Sequence, residues 1–251
     1  MGSIAPYTTI ALVTGANQGI GFEIAKKLST EHKDYHVIMT GRRKDALDEA
    51  VAKLEALGLS VEGVVLDVNS DESIAQAAKF VEEKYGRLDV LINNAGITNA
   101  PAAEGESPRK QWQAVFDTNV VGVVVITDAF IPLLEKSQAP TKRIVMMSSQ
   151  MGSLASKLDR DIFFHKYEAR EYSSTKAALN MLALHYAVRY EDDPTWKINI
   201  NCPGYVATNI NKYAGVEPVE NGAVNACRLA ALTDLKDESG TYSNRHGKLE
   251  W

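Results

Sequence analysis

Ile10-Ala11-Leu12-Val13-Thr14-Gly15-Ala16-Asn17-Gln18-Gly19-Ile20-Gly21 is the stretch whose reading decides the fold. The apolar run 10–13 has the character of a buried strand, and a helical pattern over 19–32 follows it directly. Gly15, Gly19 and Gly21 lie on the turn between them. Glycine permits the tight turn and lets backbone N–H groups approach a pyrophosphate at the positive end of the next helix. A tight turn that holds no ligand is the plainer alternative. Within a βαβ unit, however, three glycines at such a turn favour nucleotide binding. The candidate contacts are Gly15, Asn17, Gln18, Gly19, Ile20 and Gly21.

Outward from this turn, β-branched runs alternate with longer helical patterns. Strand-like runs recur at 36–40, 60–67, 88–93, 143–148 and 197–201, with a further candidate at 247–250. Helical patterns cover 44–57, 71–85, 108–134, 171–190 and 219–232. Ser70 stands before one helix, Gly58 just after another, and Ser107-Pro108 reads as an N-cap followed by the first helical position. Nearly continuous apolar strands such as Val90-Leu91-Ile92 fit strands covered on both faces. With right-handed crossovers, the pattern predicts an α/β fold: one doubly wound, mostly parallel sheet of the Rossmann type with helices on both faces. No linker divides the chain, so residues 1–251 are expected to form a single domain. Its least regular stretches are 98–106, 150–170 and 209–218.

Composition narrows the function classes. A hydrophobic share of 45% and a charged share of 24% suit a globular chain, and a net charge of -5 provides no basic footprint for nucleic acid or an anionic membrane. The best uninterrupted apolar run, 120–126, contains Gly122 and is too short to span a bilayer. The opening Met1-Gly2-Ser3-Ile4-Ala5-Pro6 has neither a charged segment before an apolar one nor Ser or Thr where a myristoylation signal needs it. Cys202 and Cys227 form no disulfide framework and have no metal-ligand spacing; both are expected to be buried and inert. A reducing compartment, the cytoplasm, is the default.

Two further stretches carry chemistry. A doubly wound fold that selects NAD places an acid at the end of its second strand, whereas NADP needs room and positive charge there. This strand ends Thr40-Gly41-Arg42-Arg43, which offers guanidinium groups and no carboxylate. Arg42 fits a phosphate clamp, since its planar head can bond in bidentate fashion; an exposed basic turn pairing with acids of the next helix is the other reading. In Tyr172-Ser173-Ser174-Thr175-Lys176 a phenol and an ammonium stand four residues apart on a helical pattern and so share a face. A cation beside a phenol favours the phenolate, which makes Tyr172 a candidate general acid/base with Lys176 as its tuner. The same spacing also occurs on ordinary solvated helix faces.

The order Gly15-x-x-x-Gly19-x-Gly21, Arg42, Asp67-Val68, Asn93-Asn94-Ala95-Gly96, Asn119, Ser148-Ser149, Tyr172-x-x-x-Lys176 and Pro203-Gly204-Tyr205-Val206-Ala207-Thr208 resembles the short-chain dehydrogenase/reductase family from about residue 10 to the end of the chain. The resemblance implies that Asp67 and Val68 hold the adenine, that the turn at Asn93 passes the adenine ribose, and that Val206 and Thr208 meet the nicotinamide end. It implies that Ser149 donates to a substrate carbonyl oxygen, that Tyr172 delivers the proton, and that Lys176 binds the nicotinamide ribose and depresses the Tyr172 pKa. Asn119 would complete the tetrad by kinking its helix and holding a water near the lysine, while Ser148 would be structural. The expected activity is NADPH-dependent hydride transfer between NADP(H) and a small-molecule ketone, aldehyde or alcohol. A regulatory or non-redox relative that merely binds NADP(H) is the alternative. Gln18 stands where NADP-preferring relatives often carry a second basic residue, so the preference need not be absolute.

Ser149 and Tyr172 lie 23 positions apart, a long interval for the family. The extra piece within 150–171 contains Phe163-Phe164-His165-Lys166-Tyr167 and reads as a wall of the substrate pocket or as a surface excursion, with His165 as a solvated residue. Together with the chain ending it is similar to the carbonyl-reductase branch, in which a longer insertion can mask a dimer surface. A homo-oligomer is therefore possible.

Overall fold

The computed structural model describes residues 8–98 and 107–251. The opening hexapeptide and nearly all of the irregular stretch 98–106 lie outside the described residues. The strands are β1 (Thr9–Val13), β2 (Tyr35–Gly41), β3 (Val61–Val65), β4 (Val90–Asn93), β5 (Lys142–Met147), β6 (Trp196–Asn201), β7 (Tyr242–Asn244) and β8 (Gly247–Lys248). They form one sheet in the order β3-β2-β1-β4-β5-β6-β7-β8. Every pairing from β3 to β7 is parallel, and only β8 runs antiparallel to β7. The helices are α1 (Gly19–Glu31), α2 (Lys44–Glu55), α3 (Asp71–Tyr85), α4 (Pro108–Phe116), α5 (Gly122–Glu135), α6 (Leu154–Leu158), α7 (Arg170–Arg189) and α8 (Asn221–Ala230).

The two-residue period of a strand divides the core in two. Ile10, Leu12, Ile38, Leu91, Ile144 and Ile198 face one layer, where α3, α5 and α7 cover them with Ile74, Phe130 and Leu179. The alternate residues Ala11, Val13, Val37, Met39, Ile92 and Val145 face the other layer, under α1, α2 and α8. Strands buried on both faces must be apolar throughout, which is why these runs show no alternation in sequence.

Local signals hold with some shifts. Ser70 caps α3 by accepting from the Ser73 N–H at 3.2 Å. Ser107 precedes Pro108 as expected but makes no side-chain capping bond. The anticipated last strand at 247–250 is only the two-residue β8, and the last parallel strand is β7, which follows β6. The irregular stretch 150–170 also contains α6 and two 3₁₀ turns, at Gln150–Gly152 and Phe163–Lys166.

The reading of membrane-spanning capacity needs correction. Because α4 and α5 join through a π turn, Pro108–Glu135 forms one 28-residue helix that is long and apolar enough to cross a bilayer by length and composition. The run 120–126 concealed this because Asn119 and Thr127-Asp128 bound it, although the helix continues through both. Here Val115, Val123, Ile126, Phe130 and Leu134 lie buried in the fold, as in a core helix.

Candidate active site

Strand order reverses between β1 and β4, and their carboxyl ends are laced together there. Thr14 Oγ1 accepts from the N–H groups of Asn94 at 2.9 Å and Ala95 at 3.0 Å. Asn94 Nδ2 in turn donates to the carbonyls of Thr14 at 2.8 Å and Gly15 at 3.2 Å. Gly15 has φ +63°, and a Cβ on it would lie 3.1 Å from Ala95 Cα. Both the backbone angle and the space demand glycine. Gln18 is the N-cap of α1 but offers no side-chain cap, and the first turn carries no acid, so among the described residues no side chain caps that positive end.

The other expected cofactor contacts gather around this turn. Asn17 packs against Gly41, where a Cβ would meet its Oδ1 at 3.0 Å. The neighbouring Arg42 is exposed, and among the described residues it forms no ion pair; Arg43 is the one that approaches Asp45, at 4.0 Å. Asp67 engages one carboxylate oxygen with the Asn69 N–H at 3.0 Å, and Val68 is partly buried against the core. Asn93 is turned inward: its amide donates to Thr127 Oγ1 at 3.0 Å, so the side chain is buried in the fold. Thr208 comes close to the glycine turn, its Cγ2 standing 3.8 Å from where a Gly19 Cβ would be. Val206 is buried beside Gly222 and Gly215. The Thr208 N–H donates to Asn211 Oδ1 at 3.2 Å, while its buried Oγ1 meets no protein group at hydrogen-bonding geometry. An uncovered helix N-terminus, a cradle that a Cβ would fill and an unpartnered buried hydroxyl fit a dinucleotide.

Tyr172 and Lys176 both sit in the first turns of α7, and the Lys176 Nζ lies 5.5 Å from the Tyr172 ring centroid. The same Nζ donates to the Met147 carbonyl at the end of β5 at 2.7 Å. Burial lowers its pKa to about 8, against a small opposing effect of Cys202. Tyr172 behaves differently from the sequence expectation. Burial pushes its phenol well above the ordinary value and Cys202 adds to this, while hydrogen bonding with Ser149 pulls the other way; Lys176 is not what lowers it. Part of the Tyr172 surface still reaches solvent, which tempers that push. Ser149, just beyond β5, is near enough to act on the phenol's proton affinity, and its Oγ accepts from the Met151 N–H at 3.3 Å.

Asn119 lies in the π turn Asp117–Val121 and is fully buried. Its Oδ1 accepts from the Ile97 N–H at 2.9 Å, and its Nδ2 donates to the Ile97 carbonyl at 2.8 Å and to Thr175 Oγ1 at 3.0 Å. A Cβ on Gly96 would stand 3.2 Å from this Oδ1 and 3.6 Å from Lys176 Nζ, which brings Asn119 and Lys176 to the same turn. Ser148 is structural as anticipated, donating to Asn180 Oδ1 at 2.6 Å. Cys227 is buried in the core and Cys202 is buried beside Tyr172 and Lys176, accepting from the Gln150 N–H at 3.2 Å. The sequence reading passed over Thr14, Asn94, Gly96 and Thr175 as site-forming residues. All four lie within quoted motifs, but nothing in the motifs assigned them these contacts.

The insertion folds onto the site's rim. His165 Nδ1 lies 2.9 Å from the Lys157 carbonyl, and Lys157 Nζ donates to the Tyr167 carbonyl at 3.2 Å, solvent-exposed contacts that tie the loop together. Phe163 meets Tyr205 in a tilted pose at 5.7 Å, and Phe164 meets it edge to face at 5.8 Å.

A doubly wound parallel sheet with a glycine turn at its switch point defines a dinucleotide-binding α/β protein. Within that class the chain belongs to the short-chain dehydrogenase family of oxidoreductases, whose model, described as short chain dehydrogenase, matches residues 9–217. It is 38% identical over 234 residues to Short-chain dehydrogenase anuI of Penicillium roqueforti, covering 92% of each chain. It is 32% identical to (+)-neomenthol dehydrogenase of Arabidopsis thaliana, covering 94% of this chain and 95% of that one. Among solved structures, NADPH-bound carbonyl reductase from chicken fatty liver superposes with a TM-score of 0.81 at 28% identity, covering 98% of this chain and 100% of that one.

Proposed function

We propose that the protein is an NADPH-dependent carbonyl reductase that interconverts a small ketone or aldehyde and the corresponding alcohol. The observation that carries this reading is the meeting of Tyr172, Ser149 and Lys176 beside the glycine crevice. NADPH, when bound, supplies the hydride. Tyr172 holds a proton on its phenol oxygen across the neutral range and gives it to the substrate oxygen as negative charge develops there. Ser149 donates to the same oxygen and fixes its position. Lys176 supplies a cation for the nicotinamide ribose, and Asn119 holds the turn at Ile97 against α7. Arg42, free of ion pairs among the described residues, would clamp the 2′-phosphate. Relatives named as a neomenthol dehydrogenase and an NADPH-bound carbonyl reductase favour alcohol and carbonyl chemistry with this cofactor.

The test is NADPH consumption, followed by its near-ultraviolet absorbance, against aliphatic and aromatic ketones, aldehydes and quinones. Tyr172→Phe should reduce turnover by about 10²- to 10⁴-fold while NADPH still binds. A Phe variant with intact turnover would overturn the mechanism. Arg42→Asp should move the preference towards NADH, and an unchanged preference would remove the clamp.

A further inference from the structure

A second group of side chains able to pass protons lies at the other end of the sheet. The glycine crevice sits beyond the carboxyl ends of the strands, whereas His36 and Glu62 stand near the amino ends of β2 and β3, with Ser60 just before β3 and Tyr85 closing α3. Ser60 Oγ lies 2.9 Å from His36 Nδ1, and Tyr85 Oη lies 2.9 Å from His36 Nε2. Tyr85 Oη also bonds to Glu62 Oε2, which stands 3.7 Å from His36 Nε2, and Lys84 Nζ pairs with the other oxygen of Glu62.

The directions of these bonds follow from the protons available. Glu62, ion-paired with Lys84, is a carboxylate and can only accept, so the single phenol proton of Tyr85 goes to it. Tyr85 Oη then accepts from His36, which puts the imidazole proton on Nε2. Nδ1 keeps a lone pair, and the Ser60 hydroxyl donates to it. Burial holds the His36 pKa below its ordinary value, against the pull of Glu62, so the ring is an uncharged base at neutral pH. A nucleophile, a base and an orienting carboxylate thus stand in series.

Ser60 is exposed while His36, Tyr85 and Glu62 are half-buried, so the hydroxyl is the end of the series that a reagent in solution reaches. A donor for an oxyanion adjoins it. The Ser60 carbonyl accepts from the Val37 N–H at 3.0 Å, so the Val61 N–H of the same trans peptide points away from β2. Because β3 is the edge strand, that N–H faces off the sheet, and no described residue accepts from it.

We propose that Ser60, His36, Tyr85 and Glu62 form a nucleophilic site, independent of NADP(H), that takes the acyl group from small carboxylic esters. Ser60 Oγ attacks the ester carbonyl carbon as its proton passes to His36 Nδ1, and the Val61 N–H donates to the oxyanion. The bond from the carbonyl carbon to the alcohol oxygen then breaks, His36 returns the proton to that oxygen, and the acyl group stays on Ser60. Water adds to the acyl-serine with His36 as its base, and the carboxylic acid leaves.

The test follows p-nitrophenolate release from p-nitrophenyl acetate by the full chain, with no cofactor added, for wild type, Ser60→Ala and His36→Gln. Thermal melts confirm that each protein is folded. Release by wild type should exceed that by Ser60→Ala roughly tenfold or more; the excess is the part that depends on Ser60, free of acetylation at surface lysines. His36→Gln should lower that excess by about 10²-fold. Equal rates for wild type and Ser60→Ala overturn the site, and so does a His36→Gln rate equal to that of wild type. NADP(H) binding by Ser60→Ala should match wild type, and a changed affinity would tie Ser60 to the crevice and overturn a separate site.

Discussion

Lys176 and Tyr172 show how burial competes with charge. A buried ammonium resists its proton, and Lys176 is held at about 8 rather than near 10.5. Between those two values the unfolded chain binds more protons at this lysine than the fold does, so its contribution to stability rises with pH across that window. Its burial penalty is fully present below pH 8 and has gone by pH 10.5. Cofactor-free wild type should accordingly gain on the order of 2 kcal/mol relative to Lys176→Met between pH 7 and pH 10.5. Denaturant titrations of the two proteins across that range measure the difference, in which the titrations of Cys202 and Tyr172 largely cancel. A flat difference would mean that Lys176 keeps its ordinary proton affinity. The raised phenol of Tyr172 has the opposite consequence: it keeps its proton across the neutral range, as the proposed proton donor must. Lys176 entered the sequence reading through its spacing from Tyr172 and through the family resemblance. Its bond to the Met147 carbonyl joins residues far apart in the chain, so no local pattern could reveal that it leans on β5 rather than on the phenol.

Elements place these groups through irregularities in otherwise regular structure. The π turn inserts a wider loop into the long helix and so lets the Asn119 amide reach sideways to Ile97 on both its N–H and its carbonyl. Asn119→Ala would leave buried partners unpaired and should cost on the order of 2–3 kcal/mol by chemical denaturation; a neutral change would show that water replaces the amide. The glycine turn is a second irregularity. A Cβ at Gly21 would lie 2.4 Å from the Gly15 carbonyl oxygen and 2.5 Å from Asn94 Nδ2. Gly21→Ala should therefore destabilise by about 1–3 kcal/mol and weaken dinucleotide binding together. A folded variant with native affinity would contradict this packing. Elements with long apolar or helical patterns were legible, as with β1, β4 and α7. The three-residue β7, Tyr242-Ser243-Asn244, was not, because it is a strand only by virtue of pairing with Ile200 and Asn201. Likewise the π turn leaves no mark in hydropathy, since Val120 and Val121 continue the apolar run.

At the scale of the molecule, the site exists only where the reversal of strand order brings β1, β4 and the turn after β6 to one crevice. The sequence showed each piece in order but not their lacing. Thr14 and Asn94 stand 80 positions apart and are joined by two hydrogen bonds, and such pairs follow from the topology rather than from any local spacing. A crevice assembled from elements spread along the chain links ligand binding to global stability. Whatever binds only the folded form raises its stability as RT ln(1 + [L]/Kd), about 2.7 kcal/mol at a hundred-fold excess over Kd. For a chain of 251 residues this corresponds to a rise of roughly 5–10 °C in the melting temperature. On the proposed reading NADPH should produce that rise at concentrations where NADH gives a smaller one, because the 2′-phosphate would engage Arg42. Arg42→Asp should shrink the NADPH shift, whereas Arg43→Asp, which removes the arginine that approaches Asp45, should alter it less. Equal shifts for the two cofactors in wild type would show that Arg42 does not read the phosphate, and equal losses in the two variants would make the contribution one of general charge rather than of position.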